Sequence, residues 1–241
     1  MGIIEGISKG VVLAAGDGGR LGTLTSTCPK VLLPVRGGPL ICHPIKALAA
    51  AGIREIAIVV GYLASQVRTA LGDGSRFGVR LDYILNLDYS GGNAISVKKV
   101  KPWAAGEPFV LCMGDHIIER GFVYRLLDKS PIAETLCVDF APGEHHQLAE
   151  STKVVVNSAG YIKDIGKGLA YWNAIDTGVF LLTEKFLDAI DELIPELGID
   201  IETSDVIRFL VGRGYRFATC DVSGCFWADV DTKEDLDFVA A

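Results

Sequence analysis

The first 130 residues alternate short apolar runs with segments of helical periodicity. The apolar runs are GVVLAA, REIAIVVG, VRLDYILN and PFVLCMGD, at residues 10–15, 54–61, 79–86 and 108–115. Helical spacing is found between and after them, at residues 39–52, 64–71, 94–101 and 121–128. Strands that alternate with helices form right-handed βαβ units, which build a mainly parallel sheet. The sequence therefore predicts an α/β, Rossmann-like fold with helices flanking a mixed but mainly parallel sheet.

After about residue 130 the pattern changes to strands with few helices between them. These strands are TLCVDF, TKVVVN, YIKDIGK, AIDTGVFLLT, YRFATCDV and FWADVD. Helical patterns return at residues 184–193, 203–212 and 232–241, and Asp231 with Glu234 fits a capping box for the last of them. No repeat or linker interrupts the chain, so we expect one continuous domain over residues 1–241 whose smaller, β-rich second half covers the first.

Composition places the chain among ordinary globular proteins: 49% of its 241 residues are hydrophobic and 22% are charged. No apolar run reaches the roughly 18 residues of a membrane span. The N-terminal MGIIEGISKG runs almost directly into a strand, so it does not read as a secretory signal. The six cysteines form no CxxC pair and lie mostly in apolar segments, which predicts buried, reduced thiols in a cytoplasmic protein.

Charge is distributed unevenly along the chain. The net charge of −7 argues against a nucleic-acid partner. Residues 9–46 nevertheless carry five basic side chains and one acidic one, and a small polyanion would be attracted to that region. Residues 184–205 carry eight acidic side chains and one basic one, a pattern that is typical of a solvated helical face.

The basic region surrounds a glycine-rich turn, GDGGRLG at residues 16–22, directly after the first apolar run. It does not match a dinucleotide fingerprint, because Leu21 stands where the third glycine belongs and the second strand ends without an acidic residue. A Walker A motif is excluded because no Gly-Lys-Ser/Thr follows the glycines. A loop whose N–H groups cradle phosphates remains, with the Arg20 guanidinium as a fork for phosphate oxygens. Lys30 could stabilise charge at a phosphorus under attack.

Taken together, LAAGDGGRLG and CPKVLLPV resemble the signature of the sugar-nucleotide pyrophosphorylases, which are nucleotidyltransferases of α/β fold. Six further motifs resemble the CTP:inositol-1-phosphate cytidylyltransferases, namely GGNAIS (91–96), MGDH (113–116), TKV (152–154), IGKGL (165–169), DTGVF (176–180) and WADVDTKED (227–235). The resemblance covers residues 9 to 240. It implies a nucleotide-binding half at about 9–130 and an acceptor-binding half at about 131–241. In some members of the family this domain is fused to a membrane synthase that would use the product.

The resemblance implies transfer of a cytidylyl group from CTP to L-myo-inositol-1-phosphate, a phosphorylated polyol, with Arg20 and Lys30 as catalytic residues. Asn93 and Ser96 match the family's G-N-x-x-S pattern; a helix cap is the alternative role for Asn93. An amide offers both a donor and an acceptor to a cytosine edge. The expected nucleotide-binding residues are Leu13, Ala14, Ala15, Gly16, Asp17, Gly18, Gly19, Asn86, Gly92, Asn93, Ser96 and Gly114.

Two aspartates at strand ends form a candidate metal site. Asp115 follows the fourth strand and Asp229 follows Trp227 on a late strand. Carboxylates from two distant segments can hold one Mg²⁺ beside a triphosphate. Asp231 competes with Asp229 for this role, but its capping-box context favours a structural one. In-line displacement by an ionised acceptor phosphate needs no protein nucleophile, and the sequence offers no Ser-His-Asp arrangement.

The expected acceptor-binding residues lie mostly in the second half of the chain. Lys153 and Lys167 resemble the family's phosphate-binding lysines, with solvated strand-edge residues as the alternative. Asp176 could accept hydrogen bonds from ring hydroxyls, and Gly178 would let a ring approach the backbone. The full set is His116, Lys153, Lys167, Asp176, Thr177 and Gly178. His145 and His146 lie in a polar loop and are expected to be exposed.

Other acceptors and a different class of function stay open. The excursion GTLTSTCPK before Lys30 resembles the hexose-1-phosphate enzymes, so a hexose-1-phosphate with UTP or dTTP is one alternative. Phosphocholine is another, although residues 150–180 offer only Tyr171 and Trp172 toward an aromatic cage for its ammonium group. The third is a non-catalytic nucleotide sensor, which the joint presence of Arg20, Lys30, Asp115 and Asp229 disfavours.

Overall fold

The computed structural model describes residues 7–129, 133–143 and 148–240. The strands are β1 Lys9–Ala14, β2 Pro34–Val35, β3 Gly38–Pro39, β4 Glu55–Val60, β5 Arg80–Leu85, β6 Phe109–Met113, β7 His116–Ile118, β8 Thr135–Asp139, β9 Lys153–Val156, β10 Ile162–Gly166, β11 Ala174–Leu182, β12 Ala218–Asp221 and β13 Trp227–Asp229. The α-helices are α1 Cys42–Ala50, α2 Ala64–Leu71, α3 Asn93–Lys98, α4 Lys101–Ala104, α5 Gly121–Lys129, α6 Glu184–Leu197, α7 Thr203–Gly212 and α8 Lys233–Ala240. Short 3-10 helices occupy Gly19–Thr25, Lys30–Leu32 and Ser75–Phe77.

Nine of the described strands form one mixed sheet. Its main path runs β10-β9-β11-β6-β1-β4-β5, and β8 and β12 branch from β11. β1 pairs in parallel with β4 and β6, and β4 pairs in parallel with β5, as the alternating pattern of the first half predicts. β11 pairs antiparallel with β6, β8 and β9, so the change of pattern near residue 130 marks a change of strand direction. The predicted fold class is confirmed.

Helices cover both faces of the sheet because its central strands are apolar on both sides. Successive strand residues point to opposite faces, and Val11 and Val12 of β1 are both fully buried in different cores. Val11 packs in the core that includes α3, α6 and α7, whereas Val12 packs in the core that includes α1, α2 and α5. Burial on both faces explains why these strands read as continuous apolar runs.

A small hairpin-like sheet outside the main one was not predicted from the sequence. β7 pairs antiparallel with β13, and both help to form a third core with α8. β7 has only three residues and begins directly after Asp115, so the sequence reads there as the end of the preceding strand. The pairing places Asp229 directly opposite His116, so a residue from the end of the chain lies beside the residues that follow β6.

Two predicted helices have different boundaries in the structure. The helix expected over residues 94–101 is divided into α3 and α4, and Pro102 lies in the first turn of α4. Proline lacks the N–H that a continuous helix would need at that position. The helix expected to end at Leu193 continues to Leu197, with Pro195 in its last turn. The last predicted residue of the final helix, Ala241, lies outside the described residues.

The predicted capping box of the last helix was assigned to the wrong pair. The Thr232 hydroxyl accepts from the Asp235 N–H at 3.2 Å, and Asp235 Oδ2 accepts from the Thr232 N–H at 2.7 Å. The same carboxylate accepts from the Asp231 N–H at 3.0 Å. The cap is therefore Thr232 with Asp235 rather than Asp231 with Glu234, and the Asp231 carboxylate is available for other contacts.

Two broader features of the described residues concern membrane spanning and the cysteines. No described helix has both the length and the apolar composition to cross a bilayer. All six cysteines are free thiols, and Cys42, Cys112, Cys137 and Cys220 are buried. The buried thiols pack in the same core as α1 and α5 and therefore serve the hydrophobic interior.

Candidate active site

Two adjoining cavities open at the carboxyl end of β1, the edge at which parallel sheets bind ligands. The first, which we call the glycine-loop cavity, has a volume of about 500 Å³. It is lined by Leu13, Ala14, Gly16, Asp17, Gly18, Gly19, Arg20, Lys30, Val31, Asp115 and Asp231. Leu13, Gly16, Arg20, Asp115 and Asp231 also line the second cavity, so the two form one continuous site.

The glycine loop owes its shape to its sequence. Gly18 has φ +68°, and a Cβ there would stand 2.7 Å from the Lys30 Cβ, so no larger residue fits. The Asp17 carboxylate accepts from the Gly19 N–H at 3.1 Å and closes the turn. The Thr25 hydroxyl donates to the Gly18 carbonyl at 3.1 Å, which ties the following 3-10 helix to the loop. These contacts hold the segment after Arg20 beside the glycine loop, so that Lys30 packs against Gly18.

Lys30 is a buried cation held between two carboxylates. Its Nζ lies 2.8 Å from Asp115 Oδ2 and 2.5 Å from Asp231 Oδ1. Burial alone would lower the pKa of Lys30, but the charges of Asp115 and Asp231 outweigh it and the pKa lies above its ordinary value. The ammonium group is therefore charged at neutral pH, and it lines the glycine-loop cavity.

Arg20 lies at the same cavity with a half-exposed side chain. Its Nη2 is 2.6 Å from Asp231 Oδ2, so Asp231 bridges Arg20 and Lys30 with one oxygen on each. Arg20 and Lys30 both line the glycine-loop cavity. The sequence gave no signal for the bridge, because Asp231 is 201 residues away from Lys30.

Asp115 and Asp229 are brought together by the pairing of β7 with β13. Asp229 faces His116 in the strand register, and the Val230 N–H donates to the Asp115 carbonyl at 3.1 Å. Asp115 Oδ2 accepts from Lys30, and Oδ1 lies 2.9 Å from His116 Nδ1. Burial would raise the pKa of Asp115, but Lys30 and His116 outweigh it and hold that pKa far below its usual range.

The donor set around Asp229 fits a hard divalent cation. Burial raises the pKa of Asp229, and the charges of Asp231 and Asp115 raise it further, against the opposing effect of His116. A cation would relieve this repulsion between carboxylates. Within the described ranges, no group of three or more His, Cys, Asp or Glu side chains could hold a metal by itself. Mg²⁺ commonly uses one or two carboxylates and takes its other ligands from water and substrate phosphates, which two aspartates would permit.

The second cavity, which we call the larger cavity, has a volume of about 660 Å³. The residues predicted for ligand binding that line it are Leu13, Ala15, Gly16, Arg20, Asn93, Ser96, Asp115, His116, Lys167, Asp176, Gly178 and Asp229. Residues of β1, α3, β7, β11 and β13, with Lys167 directly after β10, thus converge on one space, although they are far apart in the chain.

Several residues that were expected to bind the nucleotide form hydrogen bonds with other protein groups. Asn86 is fully buried and donates from Nδ2 to the Ser96 hydroxyl at 2.9 Å. The Gly92 N–H donates to the Ile199 carbonyl, and the Gly114 N–H donates to the Leu13 carbonyl, both at 2.9 Å. These contacts fix strand and helix ends behind the cavities, so Asn86, Gly92 and Gly114 contact protein groups where ligand contacts were expected.

Asn93 has a role that neither sequence interpretation foresaw. It is the first residue of α3, and Gly92 occupies the N-cap position of that helix. Asn93 Oδ1 accepts from the Thr203 N–H at 2.7 Å, and the Asn93 N–H donates to Glu202 Oε2 at 3.2 Å. Asn93 therefore joins the N-terminus of α7 to that of α3 while it lines the larger cavity.

Two residues expected at the acceptor point elsewhere. The Thr177 side chain is fully buried and donates to the Cys137 carbonyl at 2.9 Å. The Lys153 Nζ donates to the Lys167 carbonyl at 3.2 Å, so Lys153 supports the segment that carries Lys167. Strand alternation turns Thr177 away from the cavity-lining Asp176 and Gly178. His145 and His146 lie outside the described residues.

His116 is fixed between an aromatic ring and a glycine. Its ring stacks on Trp227 with centroids 6.2 Å apart and an interplanar angle of 14°. Gly178 has φ +72°, and a Cβ there would lie 2.7 Å from His116 Nε2. The glycine therefore makes room for a protein ring, whereas the sequence analysis expected it to make room for a ligand.

Further residues line the larger cavity that the sequence analysis did not single out as binding residues. They are Tyr89, Gly91, Met113, Glu150, Ser151, Thr152, Glu202, Thr203, Ser204, Asp205, Trp227 and Asp231. Gly91 lies within the quoted motif GGNAIS, Met113 within MGDH, Thr152 within TKV, and Trp227 and Asp231 within WADVDTKED, so these motifs could have identified the five residues. The residues 202–205 come from the start of α7, whose approach to α3 no local pattern reveals.

The pKa of Asp176, which lines the larger cavity, makes the stability of the protein depend on pH. Burial raises its pKa from 3.8 to about 6, although its Oδ1 accepts from the Gly178 N–H at 2.7 Å. The folded protein then binds the proton more tightly than the unfolded chain. Stability contributed by protonated Asp176 is therefore present below about pH 4 and lost as the pH rises through 6.

We expect Asp176→Asn to stabilise the protein at pH 8 and to have little effect near pH 4. The rise in the pKa of Asp176 corresponds to about 3 kcal/mol of unfolding free energy. Because the side chain is partly exposed and solvent screens its charge, we expect a stabilisation of about 2 kcal/mol. The asparagine oxygen can still accept from the Gly178 N–H. Denaturant unfolding at pH 4.5 and pH 8 measures the difference; equal stabilisation at both pH values would contradict it.

Comparison with known proteins agrees with this geometry. The nucleotidyl transferase family model matches residues 9–240. The bifunctional IPC transferase and DIPP synthase of Aquifex aeolicus is 32% identical over 232 residues, which are 96% of this chain and 50% of that protein. The glucose-1-phosphate thymidylyltransferase of Streptomyces griseus is 28% identical over 95% of this chain and 64% of its own length. The chain thus spans half to about two thirds of these relatives.

A solved structure extends the comparison to three dimensions. The inositol-1-phosphate CTP transferase from T. maritima superposes with a TM-score of 0.84 at 27% identity, over 95% of this chain and 91% of that one. The two chains therefore share the same overall fold. With its family model matched over residues 9–240, the chain belongs to the nucleotidyl transferase family.

Proposed function

We propose that this chain transfers a cytidylyl group from CTP to L-myo-inositol-1-phosphate, giving CDP-inositol and pyrophosphate. The observation that carries the proposal is the continuity of the two cavities through Arg20, Asp115 and Asp231. One cavity offers a glycine loop and two cations to a triphosphate, and the other offers hydroxyl- and phosphate-binding groups to an acceptor. The names of the Aquifex aeolicus relative and the T. maritima structure support this pair of substrates.

The reaction is an in-line exchange at the α-phosphorus of CTP. An acceptor phosphate oxygen forms a bond to that phosphorus, and the bond to the bridging oxygen of the β-phosphate breaks as pyrophosphate takes the electron pair. The acceptor phosphate is already ionised near pH 7, so no protein base has to remove a proton. The Arg20 guanidinium and the Lys30 ammonium stabilise the charge that builds up on the phosphate oxygens.

Asp115 and Asp229 would hold Mg²⁺ as the cofactor. An ion held there would supply positive charge that neutralises phosphate oxygens. The chain's own contribution is to keep both carboxylates together through the β7–β13 pairing. Lys30 and His116 keep Asp115 ionised, since both lower its pKa.

The two halves of the domain would bind different substrates. Residues 9–130 would bind most of the nucleotide, with backbone groups of Ala14, Ala15 and Gly16 at the base. Residues 131–241 would bind the acceptor, with Asp176 accepting from ring hydroxyls and Lys167 facing its phosphate. Asp229, which would hold the metal beside the nucleotide, also belongs to the second half, so neither half alone would form a complete site. CDP-inositol released here would be available to a membrane synthase, and CTP as substrate favours a cytoplasmic site for the reaction.

A substrate panel tests the proposal. The protein is incubated with Mg²⁺ and one of CTP, UTP, dTTP, ATP or GTP, each with inositol-1-phosphate, glucose-1-phosphate or phosphocholine, and pyrophosphate is measured. We expect release with CTP and inositol-1-phosphate. Release only with dTTP or UTP and glucose-1-phosphate would favour the chemistry named for the Streptomyces griseus relative. Nucleotide binding without turnover on any acceptor would favour a sensor.

A further inference from the structure

The Asp231 carboxylate bridges the two cations that line the glycine-loop cavity. Its two carboxylate oxygens are shared between the two cations: Oδ1 lies 2.5 Å from Lys30 Nζ and Oδ2 lies 2.6 Å from Arg20 Nη2. Phosphate groups are bound in the same way, with separate oxygens on neighbouring cationic donors. The carboxylate is thus a close chemical substitute for the ligand that Arg20 and Lys30 would otherwise bind.

The backbone of Asp231 is fixed while its side chain remains available. Its N–H donates to Asp235 Oδ2 at 3.0 Å, within the cap of α8. The neighbouring Val230 N–H donates to the Asp115 carbonyl, which anchors the segment to the site. The Asp231 side chain is 23% exposed and borders both cavities, so rotation about its χ angles can release both cations without unfolding the segment.

Charge counting shows what this contact does to an arriving triphosphate. Arg20 and Lys30 contribute two positive charges, and Asp115 and Asp231 contribute two negative charges, so these four side chains sum to zero. A triphosphate therefore meets a neutral cluster instead of a cationic one. Either the Asp231 carboxylate leaves the two cations, or an added cation supplies the missing positive charge.

We propose that Asp231 is a positioning residue that fills a phosphate subsite between Arg20 and Lys30 in the free protein and is exchanged for the nucleotide's phosphate on binding. The exchange makes nucleotide affinity depend on a divalent cation. It also keeps both cations oriented toward the cavity before the nucleotide arrives. This inference rests on the proposed function, because it concerns the same triphosphate site.

The test measures the dissociation constant of CTP by calorimetry in EDTA, for the wild-type protein and for Asp231→Asn. We expect the variant to bind CTP at least about tenfold more tightly in EDTA, a change of ~1.4 kcal/mol. Inorganic tripolyphosphate should gain by a similar factor, since the effect is on the phosphates. Asp231→Glu restores the carboxylate and should return the dissociation constant toward the wild-type value.

Asp164→Asn is the matched control. Asp164 loses the same charge and is also paired with an arginine, since its Oδ1 lies 3.1 Å from Arg208 Nε, but it lines neither cavity. Its dissociation constant in EDTA should stay within about threefold of wild type, less than the roughly 0.7 kcal/mol that such a factor represents. A gain as large as that of Asp231→Asn would show a general charge effect and overturn the inference.

Other outcomes separate this inference from the proposed function. If Asp231→Asn binds CTP in EDTA no better than wild type and loses affinity only in Mg²⁺, Asp231 acts on the metal and the inference is wrong. If no protein binds CTP in either condition, the proposed function itself fails. Thermal melting of each variant confirms that the proteins compared are folded, and Asp231→Ala, which also removes the carboxylate, provides the second variant if Asp231→Asn does not fold.

Discussion

Lys30→Ala is expected to lower kcat by about a thousandfold or more, the upper range for loss of one electrostatic donor at a reacting centre. Lys30 is buried against the glycine loop and is charged at neutral pH, so no water or neighbouring side chain can replace its ammonium group. The variant should stay folded, because Asp115 keeps His116 and Asp231 keeps Arg20 as partners. Single-turnover pyrophosphate release measures the loss.

Lys9→Ala is the matched control for Lys30→Ala. Lys9 is equally buried, pairs with Glu107 at 2.7 Å and donates to the Ala104 carbonyl at 3.0 Å. It stands at the opposite end of β1, roughly 16 Å from Ala14, the last residue before the glycine-loop segment, at about 3.3 Å per strand residue. Lys9→Ala should lower stability and leave kcat within about threefold of wild type. Comparable losses of kcat in both variants would mean that Lys30 acts through the fold.

The second large effect is expected for Asp115→Asn, which should abolish measurable turnover and weaken Mn²⁺ binding in the presence of CTP. Asparagine keeps the shape and one acceptor oxygen but removes the charge that pairs with Lys30 and would hold the metal. The loss should exceed about a thousandfold in kcat/KM, because both metal and lysine lose their common partner. Electron paramagnetic resonance of Mn²⁺ measures the binding independently of turnover.

Asp139→Asn controls for the loss of a buried carboxylate at a strand end. Asp139 ends β8 and accepts from Trp227 Nε1 at 3.0 Å and from the Ala141 N–H at 2.9 Å. Its oxygens lie outside both cavities, so the variant should retain Mn²⁺ binding. Wild-type turnover in Asp115→Asn, or equal loss of Mn²⁺ binding in Asp139→Asn, would contradict the proposal that Asp115 binds the metal.

The parts of the site that lie close to strongly patterned strands could be predicted from sequence. The apolar run of β1 and the glycines after it define the cavity wall, and Arg20 follows within the same turn. Asp115 was placed correctly because it follows β6, whose parallel pairing with β1 is confirmed. In these places local periodicity and turn chemistry decide the geometry.

The contacts of Asp231 and Asn93 that could not be predicted join segments distant in the chain. Asp231 was assigned to a helix cap because its local sequence fits one, but Thr232 and Asp235 form that cap. Asn93 was considered as a base reader or as a cap of its own helix, whereas it bonds the start of α7, 110 residues away. Sheet register and helix approach decide these pairings, and neither leaves a local pattern in a single sequence.

A crystal structure with a non-hydrolysable CTP analogue and Mn²⁺ tests the central claim most directly. We predict the triphosphate against the N–H groups of residues 16–20 with oxygens on Arg20 and Lys30. The anomalous signal of Mn²⁺ should lie between Asp115 and Asp229, with phosphate oxygens completing its ligands. A nucleotide bound outside the glycine-loop cavity, or a metal ion that contacts neither aspartate, would contradict the account.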